Sequence, residues 1–82
     1  MIEKMAQLPV ITGKEFIRIL QKSGFVILRI NGSHYRLKHP DGRITTVPVH
    51  GNEDFPKGLL RTIIRDDLEM ELEDFAELIR KA

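Results

Sequence analysis

The dipeptide Asn31-Gly32, followed at once by Ser33-His34, constrains this chain more than any other stretch. Asn-Gly is a strong hairpin signal, because a type I′ turn needs two residues that tolerate positive φ. With Asn31 and Gly32 as the central turn residues, the strand pairing follows by counting. Ile30 faces Ser33, Arg29 faces His34, Leu28 faces Tyr35, Ile27 faces Arg36 and Val26 faces Leu37. Alternate residues point to opposite faces. One face then carries Val26, Leu28, Ile30, Tyr35 and Leu37 and is expected to be the core side. The other carries Arg29, His34, Arg36 and Lys38, with Ile27 exposed among them. The pattern predicts a histidine on an open basic sheet face, beside a rigid turn.

The flanking sequence supplies the rest of the order. Residues 1–7 are a lead-in, and Leu8-Pro9-Val10 is extended because the residue before proline avoids the α region. Thr12-Gly13-Lys14-Glu15 is a capping box, with Ile11 and Phe16 placed as a hydrophobic staple. A helix over about 13–23 buries Phe16, Ile17 and Leu20, and Gly24 stops it. Strands follow at Phe25–Ile30, Ser33–His39 and Arg43–Val49. Pro40-Asp41-Gly42 is the second turn, with glycine at the left-handed bulge position. That three-residue loop sets Leu37 opposite Thr45, Tyr35 opposite Val47 and His34 opposite Pro48. Pro48 cannot donate to a ladder, so the third strand is expected at an edge. By alternation Phe25 belongs to the basic face, although at a strand end it can fold over the core edge.

Pro56 suits the first turn of a helix reaching about Asp67, with Leu60, Ile63 and Ile64 buried. Gly58 in its first turn costs roughly 1 kcal/mol against alanine, which close packing or a bound ligand would account for. A last helix over 72–81 presents Leu72, Phe75, Ala76 and Ile79. The fold class is therefore α+β: α-β-β-β-α, a three-stranded antiparallel sheet with helices on one face, plus a C-terminal helix. That is the layering of double-stranded-RNA-binding domains.

Eighty-two residues suffice for one small domain, 1–82. No run approaches the ~20 apolar residues of a membrane-spanning helix. The Met1-Ile-Glu-Lys start lacks a signal-peptide pattern, and there is no cysteine. A cytoplasmic protein without membrane association is expected. The net charge of +1 conceals a segregation: residues 1–65 hold eleven Lys/Arg against five Asp/Glu, and residues 66–82 hold two against seven. A body at +6 hints at an anionic partner; a solvated acidic terminal helix explains the asymmetry equally well.

Leu8-Pro9-Val10, Gly24-Phe25, Gly32-Ser33-His34, Val47-Pro48-Val49-His50-Gly51 and Lys57-Gly58-Leu59-Leu60, in this order and spacing, resemble the HicA family of toxin ribonucleases (mRNA interferases). The resemblance covers about residues 8–75. The Gly-Ser-His and Val-Pro-x-His elements together are fairly specific. It implies a dsRBD-like fold, translation-independent cleavage of mRNA, neutralisation by a HicB-type antitoxin, and a catalytic histidine at His34. Tyr35 departs from a family position often held by a second histidine, and in the expected register it faces the core.

RNA can be cut without a metal by activating the ribose 2′-hydroxyl against its own phosphate. A group that titrates near neutrality can move that proton, and cations can stabilise the charge developing on phosphorus. His34 is the candidate for the first role, and Arg29, Arg36 and Lys38 are candidates for the second and for RNA binding. His50 is a possible second catalytic group or a hydrogen-bonded loop residue, and His39 a filler at the strand end. The three histidines do not share a face, and no carboxylate has ligand spacing, so neither a metal site nor a cofactor is expected. Lys57 and Arg61, on the helix that Gly58 enters, are further candidates for phosphate contacts. Asn31 and Gly32 are structural turn residues. The partners expected are mRNA and the antitoxin, with the toxin alone a monomer. Two alternatives remain open: an RNA-binding module of the same fold that does not cut, and a purely structural partner of another protein.

Overall fold

The structure, a computed structural model, describes residues 8–82, so the lead-in over residues 1–7 lies outside the described residues. Helix α1, Gly13–Lys22, starts on the capping box. The Glu15 N–H donates to Thr12 Oγ1 at 3.2 Å and the Thr12 N–H donates to Glu15 Oε1 at 2.8 Å. The helix buries Phe16, Ile17, Ile19 and Leu20. It ends one residue earlier than expected, at the Ser23 cap, and the chain leaves through Gly24 at φ +105°.

Strands β1 (Val26–Asn31), β2 (His34–Lys38) and β3 (Ile44–Pro48) form an antiparallel meander in the order β1-β2-β3. The register between β2 and β3 is the expected one: Leu37 faces Thr45, Tyr35 faces Val47 and His34 faces Pro48. Its turn is closed by the Gly42 N–H on the His39 carbonyl at 2.9 Å and the His39 N–H on the Arg43 carbonyl at 2.8 Å, with Gly42 at φ +104°. Pro48 lies on an edge strand.

The register between β1 and β2 differs from the expected one. The central turn residues are Gly32 and Ser33, and Asn31 pairs with His34 as the last residue of β1. Gly32 takes φ +62°, and neither Asn31 nor Ser33 has positive φ. A glycine alone at the first central position is the signature of a type II′ turn, not of the type I′ turn that Asn-Gly favours. Ile30 therefore faces Tyr35 and Arg29 faces Arg36, until a bulge at Leu28 shifts the pairing to Ile27–Leu37 and Val26–Lys38. Each bulge inserts an unpaired residue and inverts the alternation beyond it. Ile27, expected on the open face, is consequently half-buried against the core, while Val26 and Leu28, expected inside, are exposed. Ile30 keeps core-side parity but lies at the sheet end and is exposed too.

One face of the sheet is covered. Leu37, Thr45, Val47 and Val49 are buried beneath α1 and the C-terminal helices, and Phe25 folds into the same core. Pro56 is the N-cap of α2, Lys57–Thr62, and so stands just outside the helix. From Ile63 to Asp67 the helix widens to a π-turn, with the Leu68 N–H on the Ile63 carbonyl at 2.9 Å. An α-helix would carry Leu68 away from Ile63, since only i+3 and i+4 share its face. The i→i+5 closure turns Ile63 toward Leu68, and both lie in the core with Ile64. Helix α3, Leu72–Lys81, has the expected bounds. Its Phe75 meets Phe16 edge-on with ring centroids 5.6 Å apart, and Phe55 meets Phe16 at 5.3 Å. This α+β arrangement is the one expected.

Candidate functional site

His34 opens β2, flanked by Asn31 on β1 and Pro48 on β3. Its exposed side chain shares the open face with those of its cross-strand partners. Three backbone features fix this end of the sheet, two hydrogen bonds and one close approach. The Val49 N–H donates to the Ser33 carbonyl at 2.7 Å, bolting the turn to the third strand. The Phe55 N–H donates to the Ile11 carbonyl at 2.7 Å and draws the following loop to the start of α1. Gly13 permits the third: a Cβ there would lie 3.1 Å from the Pro48 carbonyl oxygen and 3.2 Å from Val49 Cα. The backbone under His34 is thus held from both neighbouring strands, and no hydrogen bond or ion pair among the described residues engages its ring.

The cations expected beside it are on the same face. Arg36 lies two residues along β2, on the order of 7 Å away. Arg29 is its partner across β1, and Lys38 follows between Val26 and Ile44. The slip of the register leaves this membership intact, because near the turn it amounts to two residues and preserves parity. Arg36 Nη1 donates to Thr46 Oγ1 at 3.1 Å. That bond aims the guanidinium along the face and leaves its other N–H groups available. The sequence held the signal for Thr46 as an orienting residue, since the β2–β3 register places it opposite Arg36.

The other histidines part company. The His39 ring packs edge-on against Phe25 at 5.0 Å, with Nε2 3.1 Å from the Ser23 carbonyl and Nδ1 accepting from the Asp41 N–H at 3.1 Å. Nδ1 also lies 3.0 Å from Asp41 Oδ1. The ring sits so close under Gly24 that a Cβ there would come within 2.8 Å of Nε2. His39 is the filler expected. His50 is exposed at the head of a turn that the Glu53 N–H closes on its carbonyl at 3.0 Å, with Gly51 at φ +57°. Among the described residues no three His, Asp or Glu side chains are gathered as a metal-binding group.

Lys57 and Arg61 are exposed one turn apart on α2. A methyl group on Gly58 would meet nothing within 4 Å, so close packing does not account for that glycine. Sequence reasoning missed Arg43. Its Nε donates to Asp41 Oδ2 at 2.8 Å, its Nη1 donates to the Leu68 carbonyl at 2.7 Å, and its guanidinium carbon lies 5.3 Å over the Phe25 ring. It clamps the second turn to the end of the π-segment. The Arg43 backbone N–H bonded to Asp41, with the guanidinium charge beside it, holds that carboxyl below its ordinary value against a smaller opposing effect of burial.

The class that the fold and site define is a small α+β protein with one sheet face packed under helices and the other open, basic and bearing an exposed histidine. The family model described as HicA toxin of bacterial toxin-antitoxin matches residues 13–67, more than half the chain, from the start of α1 to the end of the π-segment. The chain belongs to the HicA toxin family, a family of ribonuclease toxins whose members work with an antitoxin. No curated protein compared with the chain matches it.

Proposed function

We propose that this chain is an endoribonuclease toxin that cleaves mRNA in the cytoplasm by general acid–base catalysis, with His34 as the proton-transfer group and no metal. The observation that carries the reading is the placement of His34: exposed and unengaged on a fixed strand end, with Arg29, Arg36 and Lys38 on its face. The imidazole accepts the proton of a ribose 2′-hydroxyl as its oxygen attacks the adjacent phosphorus. The bond from phosphorus to the 5′ oxygen breaks, and that oxygen takes a proton from the imidazolium or from His50. The products are a 2′,3′-cyclic phosphate and a 5′-hydroxyl. Arg36 and Arg29 neutralise the charge that builds on the non-bridging oxygens, and Lys38, Lys57 and Arg61 contact the backbone of the bound RNA. A HicB-type antitoxin neutralises the monomeric toxin by covering His34.

Purified protein incubated with RNA in EDTA tests this directly. Cleavage that is lost in His34→Ala, and lost again when the scissile 2′-hydroxyl is replaced by hydrogen, is the expected result. RNA binding without cleavage would leave a non-catalytic RNA-binding module. Full activity in His34→Ala, or cleavage at the 2′-deoxy position, ends the mechanism.

A further inference from the structure

Strand β1 is where exposure and side-chain chemistry disagree. Val26, Leu28 and Ile30 are 58%, 55% and 52% exposed. The strand lies at the edge of the sheet, with β2 its one strand neighbour. No acidic residue occurs between Phe25 and His39, whereas Arg29, Arg36 and Lys38 do. The bulge at Leu28 breaks the pleat, and a depression opens on each side of it. Toward the second turn lies an apolar one of about 210 Å³, lined by Val26, Leu28, Lys38, His39 and Pro40. Toward the first turn lies one of about 270 Å³, lined by Leu28, Arg29 and Arg36.

Three occupants compete for this edge, and chemistry separates them. A single-stranded nucleic acid rewards aromatic stacking platforms; the walls here are aliphatic except for the His39 ring, which is held edge-on against Phe25 with both nitrogens engaged. The aromatics nearby, Phe25 and Tyr35, belong to the core side. A second copy of this chain meeting the patch about a two-fold axis would set the patch against itself, arginines against arginines with no carboxylate between them. A different protein, carrying an apolar side chain beside a carboxylate, satisfies both depressions. An exposed edge strand also offers unpaired backbone groups to such a partner.

We propose that the β1 edge, Val26 to Ile30, is the anchoring surface for the antitoxin. One of its apolar side chains fills the hollow between Val26, Leu28 and Pro40, and one of its carboxylates bridges Arg29 and Arg36. The inference rests on the toxin–antitoxin reading and adds a grip distinct from the cover over His34. Leu28 and Val26 serve the partner and not the RNA.

The test measures the affinity of a HicB-type antitoxin for wild type, Leu28→Asp, Val26→Asp and the milder Leu28→Ser. RNA cleavage in EDTA and thermal melts are recorded for the same free proteins, with hydrogen exchange on free and bound wild type. Leu28→Asp is expected to weaken the complex at least about tenfold, as loss of a buried interface anchor does, and the uncharged Leu28→Ser to weaken it with melting and cleavage unchanged. Amides of residues 26–30 are expected to gain protection in the complex. If Leu28→Asp lowers the melt, Leu28→Ser carries the affinity comparison. Unchanged affinity in all three variants overturns the proposal, as does protection confined to β2 or to α3. A concentration-dependent dimer abolished by Leu28→Asp would assign the edge to a second copy, and an equal loss of RNA binding in the uncharged Leu28→Ser would assign it to RNA; both overturn it. Antitoxin binding lost in Leu28→Asp while wild type never cuts RNA would sink the nuclease reading and leave this surface standing.

Discussion

The two hairpins of the sheet share β2 but are held on different terms. The β2–β3 hairpin is regular, and every core-side residue of β3 is buried. It is tied to the helical layer by Arg43 on the Leu68 carbonyl and by the Thr45 hydroxyl, which donates to Asp67 Oδ2 at 2.9 Å. The β1–β2 hairpin carries a bulge, exposes three large aliphatic side chains and has no side-chain tie to the helices among the described residues. His34 stands on the strand common to both. One hairpin thus fixes the catalytic candidate in space, while the other is left with a surface available to a partner. The comparison teaches that exposure on β1 is not loose packing of a weak core, because the same β2 buries Leu37 completely.

The largest expected effect concerns the residue between the two halves. His34→Ala should lower the rate of RNA cleavage by about 10²–10⁴, the usual contribution of a positioned acid–base group. Its thermal midpoint should stay that of wild type, since the side chain is exposed. A variant that melts early would mean that His34 has a structural part in the hairpin.

The next effect separates the exposed edge strand from the strand both hairpins share. Leu37→Ala removes a fully buried side chain and should cost roughly 2–5 kcal/mol. Leu28→Ala, nine residues earlier in the chain, should stay within about 0.5 kcal/mol of wild type, as an exposed position does. Urea unfolding of the two variants decides it. Comparable losses would mean that Leu28 on β1 is packed as firmly as Leu37 on the shared strand β2, and the contrast drawn for the exposed edge would fail.

This contrast also shows what was legible in the sequence. The capping box, the Pro40-Asp41-Gly42 turn and the Pro48 edge each have one physical reading, and the β2–β3 register followed from them correctly. Asn31-Gly32-Ser33 has two. Asn-Gly suits one hairpin turn and Gly-Ser another, and both are good two-residue loops. Nothing local decides between them, and nothing local announces a bulge at Leu28, whose side chain is as apolar as those inside. The π-turn at Ile63–Asp67 was hidden for a similar reason, because Leu60, Ile64 and Leu68 keep the i+4 spacing of an unbroken α-helix. His34, Arg29 and Arg36 were placed on one face despite the slip because a shift of two residues preserves parity.

The RNA contacts assigned to that face give a smaller effect. Replacing Arg36 and Lys38 together by alanine should weaken RNA binding and reduce the slope of log affinity against log salt by roughly 1 to 2 units, as two counterion releases are lost. Fluorescence anisotropy across a salt series measures it. An unchanged slope would move the phosphate path off β2, toward Lys57 and Arg61.

The tie between the firm hairpin and the helices is worth less again. Thr45 is buried and hydrogen-bonded, and Thr45→Val keeps the shape while deleting the bond. The loss should be about 1 kcal/mol, the usual net value of one such bond. A larger loss, seen in thermal or urea melts, would show that Asp67 depends on Thr45 to hold the end of the π-segment.

The smallest expected effect is a pH dependence at the second turn. Asp41 accepts from the Arg43 backbone N–H at 3.0 Å and from its Nε at 2.8 Å, and its carboxyl lies below the ordinary value of 3.8. A carboxyl lowered in the folded state binds its proton more readily in the unfolded one. Its contribution to stability is therefore complete above the ordinary carboxylate range and is lost as the pH falls through the lowered value. Asp41 is exposed to solvent, so the contribution is small and weakens in salt. Thermal melts of wild type and Asp41→Asn, taken from neutrality down through the carboxylate range, should differ most at neutrality and converge in acid. A difference that persists in acid would mean that the turn is held by hydrogen-bond geometry that asparagine cannot copy, and not by the carboxylate charge. The firm hairpin would then owe its regularity to the backbone of Pro40-Asp41-Gly42 and to the Arg43 bond to Leu68, with the Asp41 charge contributing nothing measurable.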